Sequence, residues 1–286
     1  MKIAIIGTGN MGGAIAKGLI KSGTCSPEEI TCTAKSEKTL NKLRGYNPAL
    51  HVTHDNKEAI QGADIVILAV KPWLIGDVIE EIRPVIDLKH QLIVSVAAGI
   101  SLRDLTLLLV PDYEQYETER IIARAEEREP VFPDTFAEPV LFRVVPNTAA
   151  EVLESVTFIA SRGATGEQTE SIRQLFSSIG YTMVVEEKLI PAGTSLASCG
   201  IAFAMRYIRA AMEGGVELGF RPQEAASIVE HTVMGAAKLL IESGMHPEAE
   251  IDKVTTAGGI TIKGLNAMER SGFTSAVIDG LKASMV

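Results

Sequence analysis

The chain has 286 residues, 46% of them hydrophobic, and a formal net charge of −9. This length can bury a full core and predicts two domains, while the acidic balance argues against general nucleic-acid binding, which needs a basic surface. No uncharged apolar run reaches the roughly 18 residues of a membrane helix, so no membrane partner is expected.

The cysteines and the amino terminus indicate the compartment. Cys25, Cys32 and Cys199 lack metal-ligand spacing, and an odd count argues against a disulfide framework. Residues 1–7 are too short for a signal peptide and predict a first strand. We therefore expect a reduced, cytoplasmic protein with no metal site.

The first half of the chain alternates strand and helix patterns. Continuous apolar runs of this kind are typical of parallel strands covered by helices on both faces, so the alternation predicts a doubly wound α/β sheet. The predicted strands are 2–7, 30–33, 63–70, 91–96, 140–145, 156–160 and 181–185. The predicted helices are 10–19, a polar helix ending at Arg44, 56–60 and 167–179.

Strand patterns stop near Leu189, and the rest of the chain predicts helices at 192–218, 222–243, 261–270 and 273–285. The prediction is an α/β domain at 1–188 followed by an all-α domain at 189–286. The apolar surface of these helices would be buried inside the domain or across a dimer interface, and we favour the dimer.

Residues 112–138 are unusually acidic. They hold nine acidic residues and three arginines, a net charge of −6. The middle of this acidic segment predicts a charged helix. A solvated surface insertion is the favoured interpretation, and a regulatory or partner-binding role is the alternative.

A dinucleotide fingerprint lies between the first strand and the first helix. Residues 7–12 read G-T-G-N-M-G, the G-x-G-x-x-G pattern. Its first glycine allows a tight turn, its second lets a pyrophosphate approach the backbone, and its third allows close helix packing. This position in a βαβ unit predicts a Rossmann dinucleotide-binding domain.

The end of the second strand predicts the choice of cofactor. NAD enzymes usually place an acidic residue there for the ribose hydroxyl, but this chain reads T-A-K-S over residues 33–36. Lys35 and Ser36 suit a 2′-phosphate, by charge and by hydrogen bonding. We predict NADPH over NADH; a merely solvated Lys35 is the alternative.

Further cofactor contacts are expected along the carboxyl edge of the sheet. Residues 69–72, A-V-K-P, end a long strand there, and Asn56 is either a helix N-cap or a ribose contact. The predicted cofactor-binding residues are Gly7, Thr8, Gly9, Asn10, Met11, Gly12, Lys35, Ser36, Asn56, Ala69, Val70, Lys71, Pro72 and Ala97.

A second glycine motif lies near the carboxyl terminus. Residues 255–261 read T-T-A-G-G-I-T and lead directly into a helical pattern. Adjacent glycines at a helix N-terminus form a cradle of backbone N–H groups. Coupled to the dinucleotide fingerprint, this turn predicts a small carboxylate held beside a nicotinamide. A capped turn without a ligand is the alternative.

Four motifs together resemble the pyrroline-5-carboxylate reductase family: residues 6–12, 69–72, 145–148 and 252–262. The last is the most specific. The resemblance spans nearly the whole chain and implies NAD(P)H-dependent reduction of the cyclic imine 1-pyrroline-5-carboxylate to L-proline, the last step of proline biosynthesis. It also implies an interleaved homodimer or larger homo-oligomer, with the substrate at the dimer interface.

The resemblance also assigns roles. It implies that Thr256, Gly258, Gly259 and Thr261 bind substrate, with the N–H groups of both glycines holding the carboxylate. The Thr261 hydroxyl would contact the ring nitrogen as the catalytic group, and Thr261 as a mere N-cap is the alternative. Because a protonated imine is already electrophilic, the reaction needs orientation rather than a nucleophile or a metal.

The chain departs from the family pattern near the predicted substrate site. Residues 197–203 read A-S-C-G-I-A-F where the family reads S-G-S-G-P-A-Y, and Ala257 replaces a usual proline. The proline that usually follows residues 146–148 is also missing. These changes leave the fold and the cofactor prediction intact but leave the choice of imine open.

Two other functions remain possible at this point. A β-hydroxyacid dehydrogenase usually needs a lysine on the long interdomain helix, whereas residues 192–218 contain only Arg206 and Arg209 as basic side chains. A dinucleotide-binding sensor that has lost turnover is the non-enzymatic alternative.

Overall fold

The computed structural model describes residues 1–133 and 136–285. Asp134 of the acidic segment lies outside the described residues. The chain forms two compact units, Met1–Ser198 and Cys199–Met285.

The first unit is built on one eight-stranded sheet, with spatial order β3-β2-β1-β4-β5-β6-β7-β8. All neighbouring strands are parallel except β6 and β7. This order places a topological switch point between β1 and β4, where doubly wound sheets bind ligands. The strands are β1 (Ile3–Ile6), β2 (Ile30–Thr33), β3 (His51–Thr53), β4 (Ile65–Leu68), β5 (Leu92–Ser95), β6 (Val140–Val145), β7 (Ser155–Arg162) and β8 (Gly180–Val184).

Helices follow most of these strands. They are α1 (Asn10–Lys21), α2 (Glu37–Tyr46), α3 (Asn56–Ile60), α4 (Ile75–Ile82), α5 (Leu102–Leu109), α6 (Tyr113–Ala125), α7 (Gly166–Ser177) and α8 (Ile190–Gly193), with a π-helical segment at Thr194–Cys199.

Both faces of the central strands are buried, and every residue of β1 and β4 is buried. On β1, Ile3 and Ile5 belong to one hydrophobic cluster, whereas Ala4 and Ile6 belong to the other. Strands covered on both faces gain free energy from every apolar residue, so their sequences are continuously apolar instead of alternating. The predicted doubly wound α/β sheet is therefore confirmed.

The second unit is all-α, as predicted. Its helices are α9 (Gly200–Glu217), α10 (Pro222–Ser243), α11 (Pro247–Lys253), α12 (Ile260–Arg270) and α13 (Phe273–Ala283). Gly244 caps the end of α10 in a left-handed conformation with φ +61°, a backbone geometry that favours glycine.

The structure corrects the continuous helix predicted at 192–218. The chain there runs through α8, the π-helical Thr194–Cys199 and then α9. A π segment accommodates one extra residue per turn, and the apolar pattern does not distinguish it from a regular helix. β3, α4, α5 and α11 were not predicted at all.

The acidic segment forms the predicted charged helix, α6, but it is more than a solvated insertion. Tyr113 is only 2% exposed, and its hydroxyl donates to Glu138 at 2.5 Å and accepts from Arg120 and Arg162 at 3.1 Å each. Three aromatic rings pack against one another nearby, and the Arg120 guanidinium lies over two of them; the rings are Tyr116, Phe132 and Phe136.

One helical stretch among the described residues, Glu187–Glu217, is long and apolar enough to cross a membrane by length and composition. A single helix of this kind is weak evidence for a membrane span, because the buried core helix of a soluble protein passes the same test.

Candidate active site

A cleft of about 720 Å³ opens at the carboxyl ends of β1, β2, β4, β5 and β6. It lies at the switch point between β1 and β4. All of the predicted cofactor-binding residues except Gly12 line this cleft, namely Gly7, Thr8, Gly9, Asn10, Met11, Lys35, Ser36, Asn56, Ala69, Val70, Lys71, Pro72 and Ala97.

The three glycines of the fingerprint have different surroundings. Gly7 has φ +90°, and a Cβ there would lie 2.5 Å from Val70 Cγ1. A Cβ on Gly12 would lie 2.6 Å from the Gly7 carbonyl oxygen, so Gly12 packs beneath the turn. Gly9 faces open space, because a Cβ there would meet no heavy atom within 4 Å. The backbone at Gly9 is thus accessible to a ligand.

Helix α1 begins at this open point. Its N-cap, Gly9, provides no side-chain hydrogen bond, and its first turn contains no acidic residue. The N–H groups of that turn have no acceptor within the helix, and the helix dipole favours negative charge there. This end of the cleft therefore has the geometry and the electrostatics to bind a pyrophosphate.

Thr33, which the sequence analysis missed, holds the glycine turn in place. Its carbonyl oxygen accepts from the backbone N–H and from the hydroxyl of Thr8, both at 2.8 Å. Its side-chain oxygen accepts from the Gly7 N–H at 3.2 Å and donates to Asn56 Oδ1 at 2.7 Å. The signal available in the sequence was a threonine as the last residue of the predicted strand 30–33.

Asn56 is not a helix N-cap, so that alternative is wrong. Asp55 caps α3, because its carboxylate accepts from the N–H groups of Lys57 and Glu58. The half-buried Asn56 side chain instead connects Thr33 with Glu81, to which it donates at 2.9 Å. Asn56 lines the cleft, and its contact with ribose stays a prediction.

Cationic and hydroxyl groups line the cleft beyond β2. Lys35 and Ser36 are exposed there, and the Ser36 hydroxyl makes no capping bond to α2. His54, a second residue that the sequence analysis missed, also lines the cleft. A hydrogen bond to Glu37 and a second one to the Ala34 carbonyl raise the pKa of His54.

The β5–β6 side of the cleft contains the π-helical segment. Thr194 and Ser198 line the cleft there. The Ser198 hydroxyl donates to the Pro146 carbonyl at 3.0 Å, and Asn147 Nδ2 donates to the Ala197 carbonyl at 3.4 Å. The departures from the family pattern at Ala197 and Ser198 therefore face the loop that follows β6.

The carboxyl-terminal glycine turn belongs to the second unit. Gly258 has φ +72°, and Gly259 is the N-cap of α12 without a side-chain capping bond. Thr261 lies at the second position of the helix and is exposed, so the alternative that Thr261 is the N-cap is wrong. The Gly259 N–H already donates to the Thr256 carbonyl at 2.9 Å.

The cysteines show no sign of catalytic activation. Burial raises the pKa of the Cys32 thiol to about 12 and also raises the pKa of Cys25, so both stay protonated and unreactive at neutral pH. Cys199 is a half-buried free thiol. Within residues 1–133 and 136–285, no group of three or more His, Cys, Asp or Glu side chains is arranged to hold a metal ion.

Pyrroline-5-carboxylate reductase 2 of Dictyostelium discoideum is 33% identical over 295 residues, which cover 99% of this chain and 90% of that protein. The chain belongs to the pyrroline-5-carboxylate reductase family. Pyrroline-5-carboxylate reductase 1 of the same organism is 36% identical over 99% of this chain, although the chain spans only 48% of that relative's length.

One family model agrees with this membership, a second model matches the amino-terminal part of the chain, and a solved structure shows the same fold. Residues 187–286 match the model described as pyrroline-5-carboxylate reductase dimerisation. Residues 2–99 match the model described as NADP oxidoreductase coenzyme F420-dependent. A crystal structure of Plasmodium falciparum pyrroline carboxylate reductase with NADP bound has a TM-score of 0.82, with 23% identity over 100% of this chain and 95% of that one. The resemblance predicted from four motifs is confirmed.

Proposed function

We propose that this chain catalyses the NADPH-dependent reduction of 1-pyrroline-5-carboxylate to L-proline, the last step of proline biosynthesis, in the cytoplasm. The proposal rests on the cleft at the β1–β4 switch point. All of the residues predicted to bind the cofactor line this cleft, except Gly12. Relatives named for this activity match 99% of the chain.

The cleft fits a phosphorylated dinucleotide. The open space at Gly9 and the N-terminus of α1 suit the pyrophosphate, whereas Lys35 and Ser36 suit the 2′-phosphate. NADPH, when bound, supplies a hydride for the C=N bond. The chain's own residues orient the cofactor for this transfer and disfavour unproductive orientations. NADH stays the alternative hydride donor.

We assign substrate binding to the carboxyl-terminal turn in the assembled oligomer. The Gly258 N–H and the first-turn N–H groups of α12 would hold the carboxylate. The Gly259 N–H bonds to the Thr256 carbonyl, so Gly259 contributes mainly by lacking a Cβ, which would lie 2.6 Å from Thr256 Oγ1. The Thr261 hydroxyl would hydrogen-bond to the ring nitrogen.

We propose a homodimer, or a larger homo-oligomer built from it. In the described part of the second unit, Ala225 is the only buried hydrophobic residue. Large apolar side chains there are strongly exposed, including Leu218 (84%), Ile241 (81%) and Ile260 (88%). Large apolar side chains left exposed in this number suit a protein interface, and this region matches the dimerisation family.

The proposal is tested by following NADPH oxidation with 1-pyrroline-5-carboxylate, with a 3-oxo acid and with neither. We expect turnover with the imine alone. Turnover with the 3-oxo acid would indicate a hydroxyacid dehydrogenase, and NADPH binding without turnover would indicate a sensor.

Thr261→Ala then tests the assigned catalytic group. We expect kcat to fall about 100-fold, the scale of a lost acid–base or orienting contact, with the Kd for NADP⁺ unchanged. Thr118→Ala is the matched control, since Thr118 is an exposed helical threonine of α6 whose hydroxyl bonds only to the Glu114 carbonyl. An unchanged kcat in Thr261→Ala would remove Thr261 from the mechanism.

A further inference from the structure

His54 makes two hydrogen bonds at the rim of the cleft. Its Nδ1 lies 2.7 Å from the Ala34 carbonyl oxygen, and its Nε2 lies 2.8 Å from Glu37 Oε2. Both partners are acceptors, and a neutral imidazole has only one N–H to donate. The geometry is therefore satisfied in full only by the imidazolium ion.

The carboxylate of Glu37 is held from both sides. Arg44 Nη1 donates to Oε1 at 2.6 Å, while His54 bonds to Oε2. Glu37 begins α2, immediately beyond the end of β2, close to the place where NAD enzymes position their ribose-binding acid. Yet Glu37 does not line the cleft, whereas His54 and Lys35 do.

We infer that His54 sets the preference between NADPH and NADH: its imidazolium lines the cleft, as Lys35 does, while together with Arg44 it holds the Glu37 carboxylate out of the cleft. This inference rests on the proposed function, because it concerns the same dinucleotide cleft. A 2′-phosphate carries nearly two negative charges at neutral pH, so it gains from the second cation and from the absence of a facing carboxylate.

The charges around His54 determine the direction of the pH dependence. The groups that act on it are Glu37 and Arg44, both on α2. Because the pKa of His54 is raised, the ring keeps its charge to a higher pH than an ordinary histidine and loses its proton as the pH rises through that pKa. Loss of the proton removes a cation from the cleft and one of the two hydrogen bonds, either to Glu37 or to the Ala34 carbonyl. NADP⁺ binding should therefore weaken relative to NAD⁺ at alkaline pH.

The experiment measures Kd for NADP⁺ and NAD⁺ by calorimetry between pH 7 and pH 9.5, in the absence of any imine. We expect His54→Asn to weaken NADP⁺ binding about two- to fivefold, the range of an exposed charge pair, and to leave NAD⁺ binding equal or tighter. In His54→Asn the selectivity ratio should no longer vary with pH.

Two further variants separate a selectivity role from a structural one. His54→Arg keeps a permanent cation and its donors, so it should retain the preference for NADP⁺ at every pH. His90→Asn is the matched control, because His90 is an exposed histidine that pairs with Asp87 at 2.7 Å and does not line the cleft. It should change neither Kd.

The outcomes distinguish this inference from the proposed function. A wild-type protein that binds neither dinucleotide would defeat the proposed function. If the ratio of the NADP⁺ and NAD⁺ affinities were the same in wild type, His54→Asn and His54→Arg at all pH values, the role of His54 would be overturned. The proposed function would still stand.

Discussion

The two units of this chain treat their apolar residues differently. In the first unit, two hydrophobic clusters fill both faces of the sheet, and residues such as Ile5 and Leu68 are fully buried. In the second unit, large apolar side chains such as Leu218 remain exposed. The first unit thus contains its own core and an open cleft, whereas the second leaves apolar surface that the proposed homo-oligomer would bury.

The same difference applies to the two glycine motifs. Gly7 and Gly12 are packed closely enough that a Cβ would clash, whereas Gly9 leaves open space at the cleft. Gly258 and Gly259 form a turn that is exposed or half-exposed in its own unit. A site built on such a turn needs further structure to exclude water, which the proposed oligomer would supply.

The largest expected effect is on NADP⁺ binding in the cleft of the first unit. Gly9→Ala and Gly12→Ala should each weaken NADP⁺ binding about 100-fold. A Cβ on Gly9 would occupy the open space for the pyrophosphate, whereas a Cβ on Gly12 would displace the Gly7 turn that it packs beneath. Only Gly12→Ala should also lower the melting temperature, since its Cβ would lie 2.6 Å from a backbone oxygen. Calorimetric titration and thermal unfolding measure the two effects separately.

Gly45→Ala is the control for both glycine variants. Gly45 lies in α2 with no heavy atom near its Cβ position, so alanine should stabilise the helix by about 0.5–1 kcal/mol and leave NADP⁺ binding unchanged. If Gly9→Ala bound NADP⁺ as tightly as Gly45→Ala, the pyrophosphate would not lie on this turn.

An intermediate effect is expected at the exposed face of the second unit. Leu239 on α10 is 60% exposed, and Leu239→Glu should raise the dimer dissociation constant at least about tenfold, because association would then bury an unpaired charge. Sedimentation equilibrium measures this constant.

Ile121→Glu provides the comparison for Leu239→Glu. Ile121 is 71% exposed on α6 in the first unit, so it receives the same charge on a similar surface. We expect it to leave the oligomer intact. Equal dissociation constants for the two variants would contradict the assignment of the second unit as the interface.

Much of the first unit could be predicted from the sequence, because its strands and its ligand-binding turns are marked by short local patterns. An apolar run that ends in G-x-G-x-x-G or A-V-K-P predicts both a buried strand and a ligand edge, and the cleft lies there. His54 was missed for a physical reason. The contact of His54 with Glu37 depends on β3, a strand of three partly exposed residues with no apolar pattern.

The second unit was predicted only at the level of its helices. The bounds of α10 agree with the prediction, because Pro222 and Gly244 mark its start and its end. The π-helical turn before α9 leaves no comparable signal, whereas the short α11 begins at Pro247 and was missed although it has the same start signal. The substrate role of Thr261 stays a prediction, since it depends on an assembly that one chain's pattern does not specify.

The smallest expected effect sharpens the comparison inside the first unit. Tyr113→Phe removes a buried hydroxyl that donates to Glu138 and accepts from Arg120 and Arg162. We expect a loss of about 1–2 kcal/mol in the free energy of unfolding, measured by urea denaturation. The loss stays small because the ion pairs Arg120–Glu138 and Arg162–Glu117 remain. NADP⁺ binding should not change.

Tyr46→Phe is the matched control, because the exposed Tyr46 hydroxyl makes only a 3.4 Å bond to the Lys17 carbonyl. It should change stability by less than about 0.5 kcal/mol. If Tyr113→Phe were as stable as Tyr46→Phe, the interpretation of the acidic segment as a solvated insertion would be supported. A clear difference between them would make the segment part of the first unit's folded structure, because a hydroxyl that water can replace costs little to remove, whereas a buried one leaves charged partners without it.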